Sequence, residues 1–416
     1  MNIVIFTDTY FPKIDGIAVS VDTFTKLLEQ KGHKFIIIAP RYPGNGKHET
    51  VTDNIEIFRL ANTSLPSYPD VKVSLPPRSR VRRALKAFKP DVFHIQSPGL
   101  IGQYGVILSR LYKIPLVGTY HTMINEMGMY LSPYRLLRID QLLSRFRRGK
   151  KVKSKLGNAQ RKSEKSLSNR LLYKITNSIY SHGKVIISPT ELIRRELMAN
   201  GIRKPIVVIS NGIDLTRFKG EIKSLPTRGP KFLHVGRISF EKNVEVVLKA
   251  FRILLKKFAD AELTVYGDGP ALASLKIEAH QLGIADRVRF PGFIEREKLP
   301  EIYREYDLFL TASTMETQGL VVLEATASGL PSVGVNAYAL PEIIVNGENG
   351  YIVDPFDATA MAAKAEEIMT NPELYRRFSE NGLKIAATHD IHRSAERLEA
   401  LYLSLASRLQ DDFADF

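Results

Sequence analysis

The sequence predicts an α/β protein built from two doubly wound parallel-sheet domains. Three observations carry this. The chain has 416 residues, roughly three times a typical single domain of ~150. Short apolar runs alternate with segments of helical periodicity almost throughout, the pattern of a βαβ series. That series runs once, breaks at Pro226, Gly229 and Pro230, and starts again.

In the first series Ile3–Phe6, Phe35–Ala39, Val92–Ile95, Leu116–Gly118 and Lys184–Ser188 read as strands buried on both faces. Val19–Lys31 reads as a helix, with Val21, Phe24, Leu27 and Leu28 on one side. In the second, Phe232–Val235, Leu263–Tyr266, Val288–Phe290, Leu308–Leu310 and Ser332–Val335 are strands. Asn243–Lys256, Ala271–Gln281, Lys298–Glu305 and Leu320–Ser328 are helices. Gly212 supplies a turn at the junction, and Ile391–Gln410 reads as a closing helix. The expected division is 1–212, 213–390 and a tail, 391–416, that packs back on the N-terminal domain. Open parallel sheets bind ligands at the carboxyl ends of their strands, so two of them point to a site in the cleft between.

Composition closes several alternatives. There is no Cys, hence no disulfide framework, Cys-ligated zinc, iron–sulfur cluster or Cys nucleophile. The N-terminus reaches Asp8 after one short apolar run, which reads as a strand and not a signal peptide. The longest uncharged stretch, Val92–Ser109, is too polar and glycine-broken to span a bilayer.

The net charge of +15 is lopsided: residues 1–190 hold 31 Lys/Arg against 12 Asp/Glu, and residues 191–416 hold 28 against 32. Residues 135–170 alone hold 13 basic and 2 acidic side chains. Three readings compete: a solvated basic insertion, a nucleic-acid surface and an anionic membrane. Nucleic acid is disfavoured, because Phe146 is the only aromatic from Arg135 to Arg170 and no nucleic-acid-binding motif is present. Leu136, Ile139, Leu142, Leu143 and Phe146 fall near one helical face, ringed by Arg135, Arg138, Arg145, Arg147 and Arg148, and Lys150 and Lys151 follow. That is the pattern of an in-plane amphipathic helix with a polybasic loop.

The N-terminal strand leads into Asp8–Ala18, which has a single glycine, Gly16, and so lacks the G-x-G-x-x-G dinucleotide fingerprint. After the first strand of the second series comes Gly236-Arg237-Ile238-Ser239-Phe240-Glu241-Lys242-Asn243, which places Arg237 and Lys242 beside a helix start as a diphosphate clamp. Further on stands Glu316-Thr317-Gln318-Gly319-Leu320-Val321-Val322-Leu323-Glu324. One carboxylate lies before a helix and the other just over a turn into it, so the two can reach different parts of one ligand. Asp268, in Gly267-Asp268-Gly269-Pro270, reads as a turn residue.

These motifs together, with Ser328-Gly329-Leu330-Pro331, resemble the retaining glycosyltransferases of the GT-B fold, family 4. Phe6–Pro12, Gly118-Thr119-Tyr120-His121-Thr122 and Glu316–Leu320 are most similar to the bacterial diacylglycerol glucosyltransferases. The resemblance implies that Gly16 approaches the donor diphosphate and that His121 lies near the transferred sugar and the acceptor. It implies that Arg237 and Lys242 neutralise the leaving diphosphate, and that Glu316 binds sugar hydroxyls together with backbone N–H groups of Gln318, Gly319 and Leu320. It gives Glu324 the ribose and the Gly292-Phe293-Ile294 loop the base. Catalysis would then rest on His121, Arg237, Lys242 and Glu316. The implied reaction is front-face transfer of a hexose, glucose from UDP-glucose, to a membrane lipid such as diacylglycerol. The enzyme would sit on the cytoplasmic face of the membrane. No Asp-x-Asp motif occurs, so no obligatory metal and no cofactor is expected. Two alternatives stay open: mannose from GDP-mannose to phosphatidylinositol or an oligosaccharide, and a non-catalytic nucleotide-sugar or polyanion binder.

Overall fold

The structure is a computed structural model and describes residues 1–65, 68–76, 79–121, 174 and 176–414. The basic segment 135–170, with Arg138, Arg145, Phe146, Arg147, Arg148, Lys150 and Lys151, lies outside the described residues. The chain forms two compact units: Met1–Pro189, Arg194–Ile209 and Ala395–Phe416 in the first, Thr190–Ile193 and Ser210–Ser394 in the second.

The strands of the first unit are β1 (Asn2–Phe6), β2 (Lys34–Pro40), β3 (His48–Thr52), β4 (Ile55–Leu60), β5 (Asn62–Leu65), β6 (Tyr68–Ser74), β7 (Val92–Ile95), β8 (Leu116–Thr119), β9 (Val185–Ser188) and β10 (Ile206–Val208). Its sheet runs β10-β9-β8-β7-β1-β2-β4-β3, parallel except where β3 pairs antiparallel with β4; β5 and β6 form a separate antiparallel hairpin. Helices α1 (Gly16–Glu29), α2 (Ser79–Phe88) and α3 (Leu100–Tyr112) follow in order, and α4 (Glu191–Ala199) begins at the junction. Helix α1 starts three residues before its apolar pattern because Asp15 caps it, its carboxylate accepting from the Ala18 N–H at 2.9 Å. The Asp8 carboxylate performs the same service for α3, accepting from Ile101 N–H at 2.9 Å and Ser97 Oγ at 2.6 Å. A Cβ at Gly99 would stand 2.4 Å from that carboxyl group, so a larger residue there would displace the Asp8 cap.

In the second unit β11 (Lys231–Val235), β12 (Glu262–Tyr266), β13 (Val288–Gly292), β14 (Leu308–Leu310), β15 (Ser332–Val335) and β16 (Gly350–Val353) form an all-parallel sheet in the order β13-β12-β11-β14-β15-β16. Around it lie α5 (Val244–Leu254), α6 (Leu272–Gln281), α7 (Leu299–Glu305), α8 (Leu320–Ala327), α9 (Leu340–Ile343), α10 (Ala358–Thr370) and α11 (Pro372–Thr388). Phe232, Leu233, Leu263, Val265, Leu308, Phe309 and Val333 are fully buried, as strands covered on both faces require. A two-pronged Arg228–Asp307 contact, at 2.7 and 3.0 Å, ties the approach to β11 against the end of α7.

The closing helix, α12 (Ile391–Ala414), belongs to the first unit from Ala395 onward. There Ala395, Leu398, Tyr402 and Leu405 share a core with Ile3, Ile5, Val21, Leu28 and Val117. Glu399 accepts from Lys31 Nζ at 2.6 Å and pairs with His33 at 2.8 Å.

Candidate active site

Two loops at the carboxyl ends of β11 and β14 carry most of the site. The first leaves β11 through Gly236, whose φ of 154° belongs to glycine, and its carbonyl packs so closely on Gly267 that a Cβ there would come within 1.8 Å. The Ile238 N–H donates to Asp268 O at 2.9 Å, and Asp268 Oδ1 accepts from the Gly269 N–H, so Asp268 is the turn residue its sequence suggested. Arg237 projects exposed from this loop. A short 3-10 turn, Phe240–Lys242, then hands over to Asn243 at φ 48°. Buried Asn243 donates through Nδ2 to Glu241 O, Ala312 O and Thr314 Oγ1 at 3.0 to 3.1 Å, clasping the first loop to the second.

The clasp brings Lys242 and Glu316 together. Lys242 Nζ donates to Glu316 Oε1 at 2.6 Å, with both side chains mostly buried. The sequence placed both residues at the donor; it did not disclose that they pair with each other 74 positions apart. Gly319 then turns at φ 79°, and Leu320 opens α8. Gln318 contributes differently from its neighbours. Its buried side chain accepts from the Asn211 N–H at 2.8 Å and donates to Ser210 Oγ at 2.5 Å, so only its backbone is left for a ligand.

Glu324 lies on the second turn of α8 and is buried. Tyr303, on α7, donates its hydroxyl to Glu324 Oε2 at 3.0 Å. Burial pushes this carboxyl up to about 7, against the pull of the Arg296 and Arg217 charges and of the Tyr303 hydrogen bond. Arg217 in turn donates to Arg296 O at 3.1 Å. Residues 217, 296 and 303 are far apart in the sequence, and no motif announced them. Ile294, half-buried, follows β13 two residues after Gly292, whose carbonyl accepts from the Gly267 N–H at 2.8 Å. His234 stands beneath the first loop. It is buried, its pKa is lowered to about 4 by burial, and Nδ1 donates to Leu310 O at 2.9 Å.

Arg237, Lys242, Ile294, Glu316, Gln318, Gly319, Leu320 and Glu324 are therefore gathered at the strand ends and helix starts of the second unit. Gly16 and His121 belong to the first unit. Gly16 is the exposed first residue of α1, directly after the cap Asp15. His121 follows β8 by two residues, donates Nε2–H to Gln96 Oε1 at 2.8 Å, and is held down to about 4 by burial. Among the described residues no group of three or more His, Cys, Asp or Glu side chains could hold a metal ion, and no helix is long and apolar enough to cross a membrane.

Chemically, the second unit offers two cations and a helix start on one side of a paired carboxylate, and a second, sequestered carboxylate one turn further on. That arrangement suits a ligand with an anionic centre flanked by hydroxyl-bearing rings.

The profile described as Glycosyltransferase Family 4 matches residues 14–217, and that described as Glycosyl transferases group 1 matches residues 217–385. The chain is 30% identical over 345 residues to the alpha-monoglucosyldiacylglycerol synthase of Streptococcus pneumoniae, covering 80% of this chain and 70% of that protein. It is 26% identical to the synthase of the same name from Acholeplasma laidlawii, covering 98% of each. It is 25% identical to a GDP-mannose-dependent alpha-mannosyltransferase of Corynebacterium glutamicum, over 89% of this chain and 81% of that one. Among solved structures, the sucrose-phosphate synthase of Thermosynechococcus elongatus superposes with a TM-score of 0.75 at 18% identity, covering 98% and 99% of the two chains.

Proposed function

The chain belongs to glycosyltransferase family 4, has the GT-B fold and is a hexosyltransferase, and from that premise we propose that it transfers glucose from UDP-glucose to diacylglycerol with retention of the anomeric configuration. The observation that carries this reading is the likeness, over most of the chain, to two proteins named as alpha-monoglucosyldiacylglycerol synthases.

In this reading the pyrophosphate of the donor lies against Arg237, Lys242 and the start of α8. Cleaving the bond from sugar to phosphate builds negative charge on the leaving oxygen, and these fixed groups stabilise it without reorganisation. Glu316 orients sugar hydroxyls and, through its contact with Lys242, holds the ammonium in position. Glu324 accepts from the ribose hydroxyls, and the backbone near Ile294 meets the base. Gly16 serves the diphosphate and His121 the transferred sugar. The leaving phosphate oxygen takes the acceptor hydroxyl proton as that hydroxyl attacks on the same face. The charge neutralisation a metal would supply comes from Arg237 and Lys242. The lipid acceptor calls for a peripheral position on the inner face of the membrane, which the basic excess of residues 1–190 favours.

A second reading, mannose from GDP-mannose, is favoured by the mannosyltransferase relatives. One experiment separates them. The intact chain is given a panel of labelled nucleotide sugars with anionic vesicles containing diacylglycerol, and the lipid extract is read by mass spectrometry. Hexosyl-diacylglycerol from UDP-glucose is the expected product. Turnover of GDP-mannose alone overturns the donor, and transfer only to a soluble acceptor, without vesicle binding at low salt, overturns the lipid.

A further inference from the structure

A buried polar chain in the first unit ends at His121. His94, on β7, lies 2.5 Å through Nδ1 from the Tyr402 hydroxyl of α12 and 2.6 Å through Nε2 from Thr119 Oγ1 of β8. Gln96, just past the carboxyl end of β7, is buried, with its backbone N–H on Phe6 O at 2.9 Å. Its carboxamide bridges the two histidines: Nε2 donates to His94 Nδ1 at 3.2 Å, and Oε1 accepts from His121 Nε2 at 2.8 Å. Tyr180 closes the other side, donating to Thr119 O at 2.9 Å.

We infer that Gln96 is the positioning residue of His121, locking its ring as the Nε2–H tautomer so that Nδ1 serves as a hydrogen-bond acceptor, and that His94 and Tyr402 brace Gln96 in that orientation. The argument is one of donors and acceptors. An amide oxygen only accepts, so the proton between it and His121 sits on His121 Nε2. An amide nitrogen only donates, so His94 Nδ1 is bare. His94 then carries its proton on Nε2, facing Thr119, and the Tyr402 hydroxyl donates to the same Nδ1. The partner of one ring nitrogen fixes what the other can do. A carboxylate in this place would fix the tautomer too, but it would also draw a second proton onto the ring. Glutamine fixes it without charge, and both rings stay neutral: burial holds His94 down to about 3 and His121 to about 4. His121 is thereby an acceptor for a hydroxyl and not a cation beside the sugar. This last step rests on the role given to His121 above; the positioning by Gln96 does not.

The test uses the full-length chain labelled with 15N-histidine. Long-range proton–nitrogen spectra are expected to show His121 as the Nε2–H tautomer, uncharged across neutral pH. In Gln96→Leu that preference is lost, and kcat falls on the order of 10- to 100-fold while donor KM changes less. In Gln96→Glu, nearly isosteric and so safe for folding, the His121 pKa rises by about 1 to 3 and the acid limb of kcat moves up with it. Tyr402→Phe shifts the His94 resonances. Wild-type His121 with its proton on Nδ1, or an unchanged His121 tautomer and pKa in both Gln96 variants, overturns the inference. An altered tautomer with undiminished transfer supports the positioning and instead removes His121 from the reaction.

Discussion

Burial holds Glu324 in a state that opposes the role proposed for it. Burial raises its pKa from the ordinary carboxylate range to about 7, so folding favours the protonated form. A raised acid contributes stability that is fully present below its unfolded value, near 4.5, and is lost as pH climbs through 7. Glu324→Gln is therefore expected to match the wild type in thermal and urea stability at about pH 4 and exceed it at about pH 8, by up to about 3 kcal/mol. The same substitution removes a charged acceptor, and nucleotide affinity by calorimetry at pH 8 is expected to drop roughly 10- to 100-fold. Equal stability at both pH values refutes the first statement, and equal affinity the second. The Lys242–Glu316 contact leads to another expectation: Lys242→Ala leaves the Glu316 carboxylate unpaired and the leaving group unneutralised, lowering kcat on the order of 10²- to 10³-fold. Steady-state kinetics with saturating donor measures it. The placement of Arg237, Lys242, Glu316 and Glu324 was legible in the sequence because each lies at a fixed offset from a strand end or a helix start. Tyr303, Arg217 and Arg296 were not, because tertiary packing alone brings them to Glu324.

At the scale of elements, the site depends on two backbone positions with positive φ, Gly319 and Asn243. Gly319 takes φ 79°, and a Cβ there would approach Leu340 Cδ2 at 3.2 Å. Gly319→Ala is expected to cost about 1 to 2 kcal/mol in unfolding free energy and to tilt the start of α8, with a loss of donor affinity measurable by titration. Asn243 combines φ 48° with three hydrogen bonds from its amide. Asn243→Ala is expected to destabilise by about 2 to 3 kcal/mol and loosen both donor loops together, so that kcat and KM change jointly; an effect on stability alone argues against the clasp. Strands such as β1, β2, β11 and β12 could be read because burial on both faces demands continuous apolar runs. The edge strand β3 could not, since His48–Thr52 is largely exposed and carries no apolar run, and β10 has only three residues. The start of α1 was placed late because the apolar stripe reports a helix's buried face, whereas the cap Asp15 sets where it begins.

For the molecule as a whole, the sign of charge divides with the sequence. Residues 1–190 carry the basic excess, and helix α2 shows part of it directly: Arg80, Arg82, Arg83 and Lys86 are exposed, while Val81 and Leu85 turn inward. Each cation near an anionic leaflet contributes about 1 kcal/mol, screened over about 8 Å at physiological ionic strength. Binding to anionic vesicles in co-sedimentation is expected to weaken steeply between low and high salt, with binding to zwitterionic vesicles weak throughout. Salt-independent binding contradicts an electrostatic dock. The closing helix α12 has a different consequence. Tyr402, Leu398 and Ala395 complete a core whose other members run from Ile3 in β1 to Ile187 in β9 and Ile209 just past β10. Until those residues dock, the apolar face they cover stands open to water. Cutting the chain before Ala395 is therefore expected to leave that face exposed, and the shortened chain to aggregate where the intact one stays dispersed.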